Sequence, residues 1–173
     1  MPFGVSSAST SVQVEFQGQL SDPFTMAVTP SLPGIFAADS SGVGQGLIFN
    51  QDGTANSAAS PAAPGSVIVF YATGVGRFSP PGQDGAVVTA DSLPLPVLPV
   101  SATVGGQPAQ VLYAGGGAGI VEGIIQVNLR IPDVVPTGLG EEVVLQIGGR
   151  ASQPGLTVAL QQVPTQLPAA HAR

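Results

Sequence analysis

Apolar and polar residues alternate along much of the chain, with the two-residue period of a strand that buries one face. The clearest stretch alternates four aliphatic residues with three polar ones: Ile125, Val127, Leu129 and Ile131 against Gln126, Asn128 and Arg130. Residues 12–17 repeat this pattern with Val12, Val14 and Phe16 as the apolar positions. Because successive side chains of a strand point to opposite faces, both stretches predict half-buried strands.

Other segments also predict strands, and turn signals separate them. Residues 65–76 are a nearly continuous apolar run, which is typical of a central strand or one covered on both faces. Asp-Gly at 52–53 and Gly-Gly at 105–106 predict hairpins. Strands of this length, with turn signals about every ten residues, predict an all-β, antiparallel β-sandwich. Only residues 79–99 lack alternation, and we interpret them as one long loop.

One phrase occurs twice, as "VQVEFQGQLSDP" at 12–23 and "VVLQIGGRASQP" at 143–154. The shared positions keep constant spacing: Val12, Val14, Phe16, Gly18, Ser21 and Pro23 match Val143, Leu145, Ile147, Gly149, Ser152 and Pro154. After a gap of one residue, 24–28 match 156–160, and upstream Met1 and Pro2 match Ile131 and Pro132. We therefore interpret residues 1–30 as the closing hairpin of a truncated preceding repeat. Residues 31–162 form the sandwich, and residues 163–173 form a flexible tail.

The interpretation of residues 1–30 raises a question of packing. A two-stranded hairpin with one apolar face is marginally stable in water, so that face needs a cover. Short connections favour packing on the main sandwich of the same chain, which is our expectation. The alternative is addition to a neighbouring chain as an edge strand, which would make a homo-oligomer.

Composition argues against several classes of partner. The 173 residues include no cysteine, so disulfides and thiolate chemistry are excluded. Four arginines and no lysine stand against ten carboxylates, and the net charge is −6. Nucleic acids and anionic membrane surfaces both require clustered positive charge, so neither is an expected partner. No apolar run reaches the roughly 20 residues of a membrane helix, and the N-terminus lacks a signal-peptide pattern.

Glycine-rich and polar stretches indicate turns rather than cofactor or metal sites. Residues 42–46, 74–76 and 115–119 are rich in glycine, but no helix signal follows them, and a phosphate cradle needs a helix N-terminus. "NQDGTANS" at 50–57 alternates oxygen-bearing side chains like a calcium loop, but it lacks the terminal glutamate of that loop. The single histidine, His171, stands in the tail, where a catalytic base would not be positioned.

Carboxylates are the remaining catalytic candidates. Glu141 and Glu142 are neighbours on one strand, so they point to opposite faces. Asp84 and Asp91 lie in the long loop, and Glu122 precedes a strand. Convergence of two of these three at one end of the sandwich would suit glycoside hydrolysis. The simpler interpretation is that they are solvated loop acids.

The same long loop also suggests a carbohydrate-binding surface. Tyr71, Phe78 and Tyr113 are the aromatic residues placed to stack on a sugar ring. The absence of tryptophan weakens this hypothesis, because large aromatic faces supply most of such contact energy.

Several segments in combination resemble a known family: "PGIF" (33–36), "NQDGTANS" (50–57), "PGSVIVFYATGVG" (64–76), "ATVGGQPAQVLYAG" (102–115), "QVNLRIP" (126–132) and "LQIGGRASQPGLTVA" (145–159). With them the chain resembles, over nearly its whole length, the uncharacterised C-terminal domain of exported proteins of Solibacter-type acidobacteria. The resemblance implies an immunoglobulin-like β-sandwich on extracellular or cell-envelope proteins, without an established activity. It supplies no catalytic residues, and Glu122 departs from the family pattern.

The expected function is therefore a non-catalytic extracellular β-sandwich module for assembly, adhesion or presentation of a partner domain. One alternative is a small hydrolase, a glycosidase in the first instance, that uses Glu122 with Asp84 or Asp91. Another alternative is a carbohydrate-binding module. A carbohydrate, a protein or a second copy bound through the hairpin is the expected partner, with no cofactor, metal, nucleic acid or membrane insertion.

Overall fold

The structure is a computed structural model that describes residues 3–162. Within that range the chain forms strands and no helix: β1 (Ser9–Val12), β2 (Glu15–Phe16), β3 (Gln19–Leu20), β4 (Phe24–Ala27), β5 (Gly34–Ile35), β6 (Gly44–Gln45), β7 (Ile48–Phe49), β8 (Val67–Thr73), β9 (Phe78–Ser79), β10 (Leu95–Pro96), β11 (Val100–Val104), β12 (Gln107–Gly116), β13 (Ile124–Arg130), β14 (Glu141–Ile147), β15 (Arg150–Ala151) and β16 (Leu156–Val158). The fold is therefore all-β. Among residues 3–162, none belongs to a helix able to cross a membrane.

The strands β8, β13 and β14 are the largest contributors to the core. Alternate residues along them are buried in one cluster: Ile68, Phe70, Ala72, Ile125, Val127, Leu129, Val143, Leu145 and Ile147. The residues between them are half-buried or exposed, so the alternation predicted for 125–131 is confirmed. Each fully buried aliphatic side chain stabilises the fold by about 1.5–3 kcal/mol, which makes this cluster the main source of stability.

The main sheet runs in the order β5, β8, β13, β12, β11, β14, β16, β6, with β7 beside β8 and β15 beside β14. Its strands pair antiparallel except for β16 and β6, where Leu156 lies beside Gly44 in a parallel register. An isolated bridge between Ala62 and Leu160 is parallel as well. The purely antiparallel sheet predicted from the sequence is thus wrong at this edge. Alternation defines the two faces of a strand, but it does not define the direction of the partner.

The two ends of this sheet meet, so the sheet is curled into a closed layer around the core. After pairing with β8 through Ile35, the chain turns toward β6, and the Ala38 amide donates to the Gln45 carbonyl at 2.8 Å. The Gln153 side chain adds a second link, because its Oε1 accepts from the Ile35 amide at 3.0 Å. Its Nε2 donates to the Ile35 carbonyl. Both halves of the sheet therefore turn their apolar faces to one core.

The segment 79–99, predicted as one long loop, is folded back on the body of the protein. Strand β10 pairs with β9, and the buried Val88 donates its amide to the Ile120 carbonyl at 2.9 Å. No alternation is visible in this segment because β9 and β10 pair over only two residues. The prediction of a single long loop is therefore wrong at its ends, which pair with each other, and residues 86–88 in its middle are hydrogen-bonded to residues 119–122.

The first hairpin lies outside the main sheet. Strands β1 and β4 pair only with each other, as do β2 and β3. The base of this hairpin is attached to the body, because the Phe3 ring lies edge-on to Phe78 with centroids 5.8 Å apart. On the other side, the Ser31 hydroxyl donates to the Ile147 carbonyl at 2.7 Å. We define residues 9–27 as the N-terminal arm.

The arm does not cover its apolar face against the main sandwich, contrary to our expectation for residues 1–30. The place between β11 and β6 that the matching residues 141–158 take is already filled. Strands β14, β15 and β16 occupy it, between β11 on one side and β6 on the other. The prediction of a flexible tail at 163–173 lies outside the described residues.

Candidate functional site

The N-terminal arm and the segment 141–158, which we call the closing hairpin, have the same strand register. In the arm Thr10 lies opposite Met26 and Ser11 opposite Thr25. In the closing hairpin the matching pairs are Glu141 with Val158 and Glu142 with Thr157. Nearer the turn the agreement continues, since the pairs Glu15–Leu20 and Phe16–Gln19 match Gln146–Ala151 and Ile147–Arg150. The two segments therefore share four backbone pairs at matching positions.

Their turns and their side-chain hydrogen bonds also agree. Both turns place two residues at positive φ, Gln17 (51°) and Gly18 (76°) in the arm and Gly148 (59°) and Gly149 (78°) in the closing hairpin. This is the two-residue turn that matches the twist of a hairpin.

In each hairpin one serine forms the same pair of hydrogen bonds across the two strands. The Val14 amide donates to Ser21 Oγ at 3.0 Å, and the Leu145 amide donates to Ser152 Oγ at 3.1 Å. In return the serine amide donates to the carbonyl of the same partner, at 2.9 Å in the arm and 2.8 Å in the closing hairpin.

What separates the two hairpins is burial of the apolar face. In the arm this face consists of side chains that are 40–71% exposed: Val12, Val14, Phe16, Phe24 and Met26. The matching side chains of the closing hairpin are 0% exposed: Val143, Leu145, Ile147, Leu156 and Val158. The arm thus carries a core-type surface in contact with solvent, which is a known mark of an interaction site.

Charge is confined to the other face and the ends of the arm. Glu15 lies opposite Leu20, on the face turned away from Val14 and Phe16. Asp22 follows Ser21 beyond the turn. The apolar face therefore carries no charged side chain, and this is the distribution expected of a surface that becomes buried.

The three candidate catalytic carboxylates lie around the segment 82–92. Glu122 is half-buried and accepts a hydrogen bond from the Gln83 amide, and Asp84 accepts one from the Phe3 amide at 2.9 Å. These two share one corner of the molecule. Asp91 lies exposed in the separate turn where Thr89 pairs with Ser92. The bonds of Glu122 and Asp84 are to main-chain amides, so both carboxylates fix the course of the loop.

The three candidate stacking aromatics are not equally available. Phe78 is buried, and the Phe3 ring packs against it. The prediction that Phe78 stacks on a sugar ring is therefore wrong. Tyr113 is half-buried and donates its hydroxyl to the Gly116 carbonyl at 2.6 Å. Burial raises the pKa of Tyr113. Tyr71 is half-buried on β8. The sequence could not reveal the cover on Phe78, because Phe3 is distant in the chain.

The segment 50–57 is a turn held by its own side chains. The Asp52 carboxylate accepts bonds from the hydroxyl and the amide of Thr54, and these bonds lower the pKa of Asp52. The buried Asn56 side chain donates to the Ala159 carbonyl at 2.9 Å and accepts from the Ala159 amide at 2.8 Å. Asn56 thus acts as a strand partner for the end of β16. Sequence reasoning missed this role, and Gln153 as well, because an amide side chain that replaces a backbone partner leaves no periodic signal.

A shallow groove of about 520 Å³ lies between 32–34 and 151–153. The polar side chains that line it, Ser152 and Gln153, are already bonded to backbone groups of Leu145 and Ile35. It therefore offers little to orient a ligand. Within residues 3–162, no cluster of three or more His, Cys, Asp or Glu side chains has the geometry of a metal site. His171 lies outside the described residues.

No protein-family model, no curated protein and no solved structure matches the chain.

Proposed function

We propose that the chain is a non-catalytic, immunoglobulin-like β-sandwich module of extracellular or cell-envelope proteins, and that it serves assembly through its N-terminal arm. The observation that carries this proposal is that the apolar face of the arm is exposed, whereas the matching face of the closing hairpin is fully buried. The resemblance of the sequence to an exported domain supports the extracellular location.

The energetics favour covering this face. Burial of one large aliphatic or aromatic side chain contributes about 1.5–3 kcal/mol. The apolar face has five such residues that are 40–71% exposed, so its burial is worth on the order of 5 kcal/mol before the cost of association is subtracted. An isolated two-stranded hairpin gains little of this, because it has nothing to pack against. A partner that covers the apolar face would therefore stabilise the arm.

The carboxylates support the non-catalytic part of the proposal. Glu122 and Asp84 each accept a main-chain hydrogen bond from the loop or from the base of the arm. These bonds explain why acids stand at those positions without invoking a substrate. We expect no turnover above buffer on a panel of chromogenic glycosides and esters, and no change when Glu122, Asp84 and Asp91 are replaced by amides. Turnover that disappears in this triple variant would replace the proposal with a hydrolase.

The arm itself is tested by chromatography of the full chain on phenyl resin in high salt. We expect Phe16→Glu with Phe24→Glu to reduce retention strongly, because both side chains belong to the exposed face. The matched control is Val134→Glu with Leu139→Glu, which changes two exposed apolar residues outside the arm and should reduce retention less. Equal retention of the two double variants would contradict presentation of the face.

Light scattering on the same samples separates two ways of covering the face. A mass that stays at 17.1 kDa as concentration rises means that the arm is kept for a different partner. A mass that rises for the wild type, but not for the arm variant, means that two copies cover each other.

A further inference from the structure

The partner of the arm can be defined from the surroundings of its duplicate. The closing hairpin is enclosed by three things: the apolar core beneath it, the antiparallel edge of β11 beside β14, and the parallel edge of β6 beside β16. In the arm, neither β1 nor β4 has a second strand partner. The arm therefore lacks three contacts that the closing hairpin has: an apolar core beneath it and a neighbouring strand on each side.

We propose that the arm is the closing hairpin of a second β-sandwich, and that its partner is an open sandwich of the same architecture as residues 31–140. In this complex β1 and β2 add antiparallel to the edge that corresponds to β11. Strand β4 adds parallel to the edge that corresponds to β6. This inference rests on the proposed assembly function and names its partner.

The repeated register defines the partner more narrowly than an exposed apolar face alone would. Four backbone pairs of the arm, two near the start of the hairpin and two beside its turn, have counterparts in the closing hairpin. Val14 and Phe16 thus project at the spacing of Leu145 and Ile147, whose side chains fill the core. Because side chains on one strand face repeat every two residues, equal register places an apolar side chain at each matching position on that face.

A second copy of this chain is a poorer partner. For the arm of one copy to close the sandwich of another, it must displace the closing hairpin there. That displacement exposes Val143, Leu145 and Ile147, which are 0% exposed at present. The exchange buries one apolar face and uncovers another of the same size, so it yields no net burial. An open sandwich that lacks its closing hairpin has no such competitor.

The serine bond supports the same conclusion. Ser152 is buried, and its hydroxyl satisfies the Leu145 amide, which is out of contact with water. Ser21 makes the identical bond to the Val14 amide at a site where water could take its place. A hydroxyl at this position matters only when the hairpin is covered. Its presence in the arm fits a hairpin that is buried in its assembled state.

The test is a fusion in which a second copy of residues 31–130 precedes the intact full chain. This join puts Met1 and Pro2 where Ile131 and Pro132 follow β13 in the original sandwich. The fusion thus presents an open sandwich to the arm, and the original sandwich acts as an internal reference. The readouts are amide hydrogen exchange at Val14 and Leu145, and resistance of the added segment to limited proteolysis.

We expect the added segment to resist protease and exchange at Val14 to slow by at least about 100-fold relative to the full chain alone, since the amide then exchanges only by opening of a packed unit. Phe16→Glu with Phe24→Glu should abolish both effects, while the Val134→Glu and Leu139→Glu control should keep them. Exchange at Leu145 should stay slow throughout.

Two results would overturn the inference. In the first, the added segment is digested and Val14 exchanges as before, although the original sandwich is intact. In the second, the added segment folds but Leu145 exchange accelerates, because it has taken the closing hairpin in place of the arm. Either result leaves the assembly function standing if the phenyl-resin experiment shows that the arm face is presented. Failure of that experiment removes the assembly function itself.

Discussion

The N-terminal arm and the closing hairpin are the same backbone in two environments. Their pairs, turns and serine bonds coincide, yet one apolar face is exposed and the other is fully buried. The comparison separates two things that are usually found together. Local sequence determines the geometry of a hairpin, whereas only a tertiary partner determines whether its apolar side chains contribute to stability.

The largest contrast is expected from truncation of a matched apolar residue. Leu145→Ala should lower the free energy of unfolding by about 2–5 kcal/mol, because it removes core contacts and leaves a cavity. Val14→Ala at the matching position should change it by less than about 0.5 kcal/mol, because that side chain is in solvent. Urea unfolding of the full chain measures both. A large loss for Val14→Ala would mean that the arm is packed on the sandwich in solution.

A smaller contrast is expected from the two serines. Ser152→Ala leaves the buried Leu145 amide without a partner, which should cost about 1–3 kcal/mol. Ser21→Ala leaves the Val14 amide free to bind water, so its effect on unfolding should be within about 0.5 kcal/mol. Thermal or urea unfolding of the two variants, measured side by side, provides the check. Equal losses would show that the arm serine is as well protected as the buried one.

Sequence periodicity predicted those parts of the fold that depend on one strand at a time. The alternation of 125–131 identified the buried residues of β13, because a period of two assigns side chains to faces without reference to the partner. The two-residue turn at Gly105 and Gly106 was predicted for the same reason, since turn chemistry is local. The repeated phrase aligns the arm with the closing hairpin, and four of the backbone pairs that this alignment matches are present in both.

The parts that were not predicted depend on residues far apart in the chain. The parallel pairing of β6 with β16, the link from Gln153 to Ile35 and the cover of Phe3 on Phe78 all join distant segments. The exposed position of the arm belongs to the same class. Whether a hairpin is covered depends on the tertiary contacts available to it, and a single strand pattern contains no information on those contacts.

The smallest expected effects come from the turns, where a substitution in the closing hairpin should affect unfolding of the sandwich and one in the arm should not. Gly148 stands at φ 59°, and a Cβ there would lie 2.8 Å from Leu98 Cδ1, so Gly148→Ala should cost about 1–2 kcal/mol of stability in urea unfolding. Gln17 holds the matching left-handed conformation with a side chain present.

Gln17→Gly removes the steric penalty of this conformation, which is roughly 1 kcal/mol. The unfolding of the sandwich should stay unchanged, because the arm adds little to it, while the arm itself becomes better ordered. Slower hydrogen exchange at the Val14 amide, with an unaltered urea midpoint, is the expected result. Faster exchange would mean that the added freedom of glycine in the open arm outweighs the relief of strain. The arm would then depend on its partner for order as well as for burial.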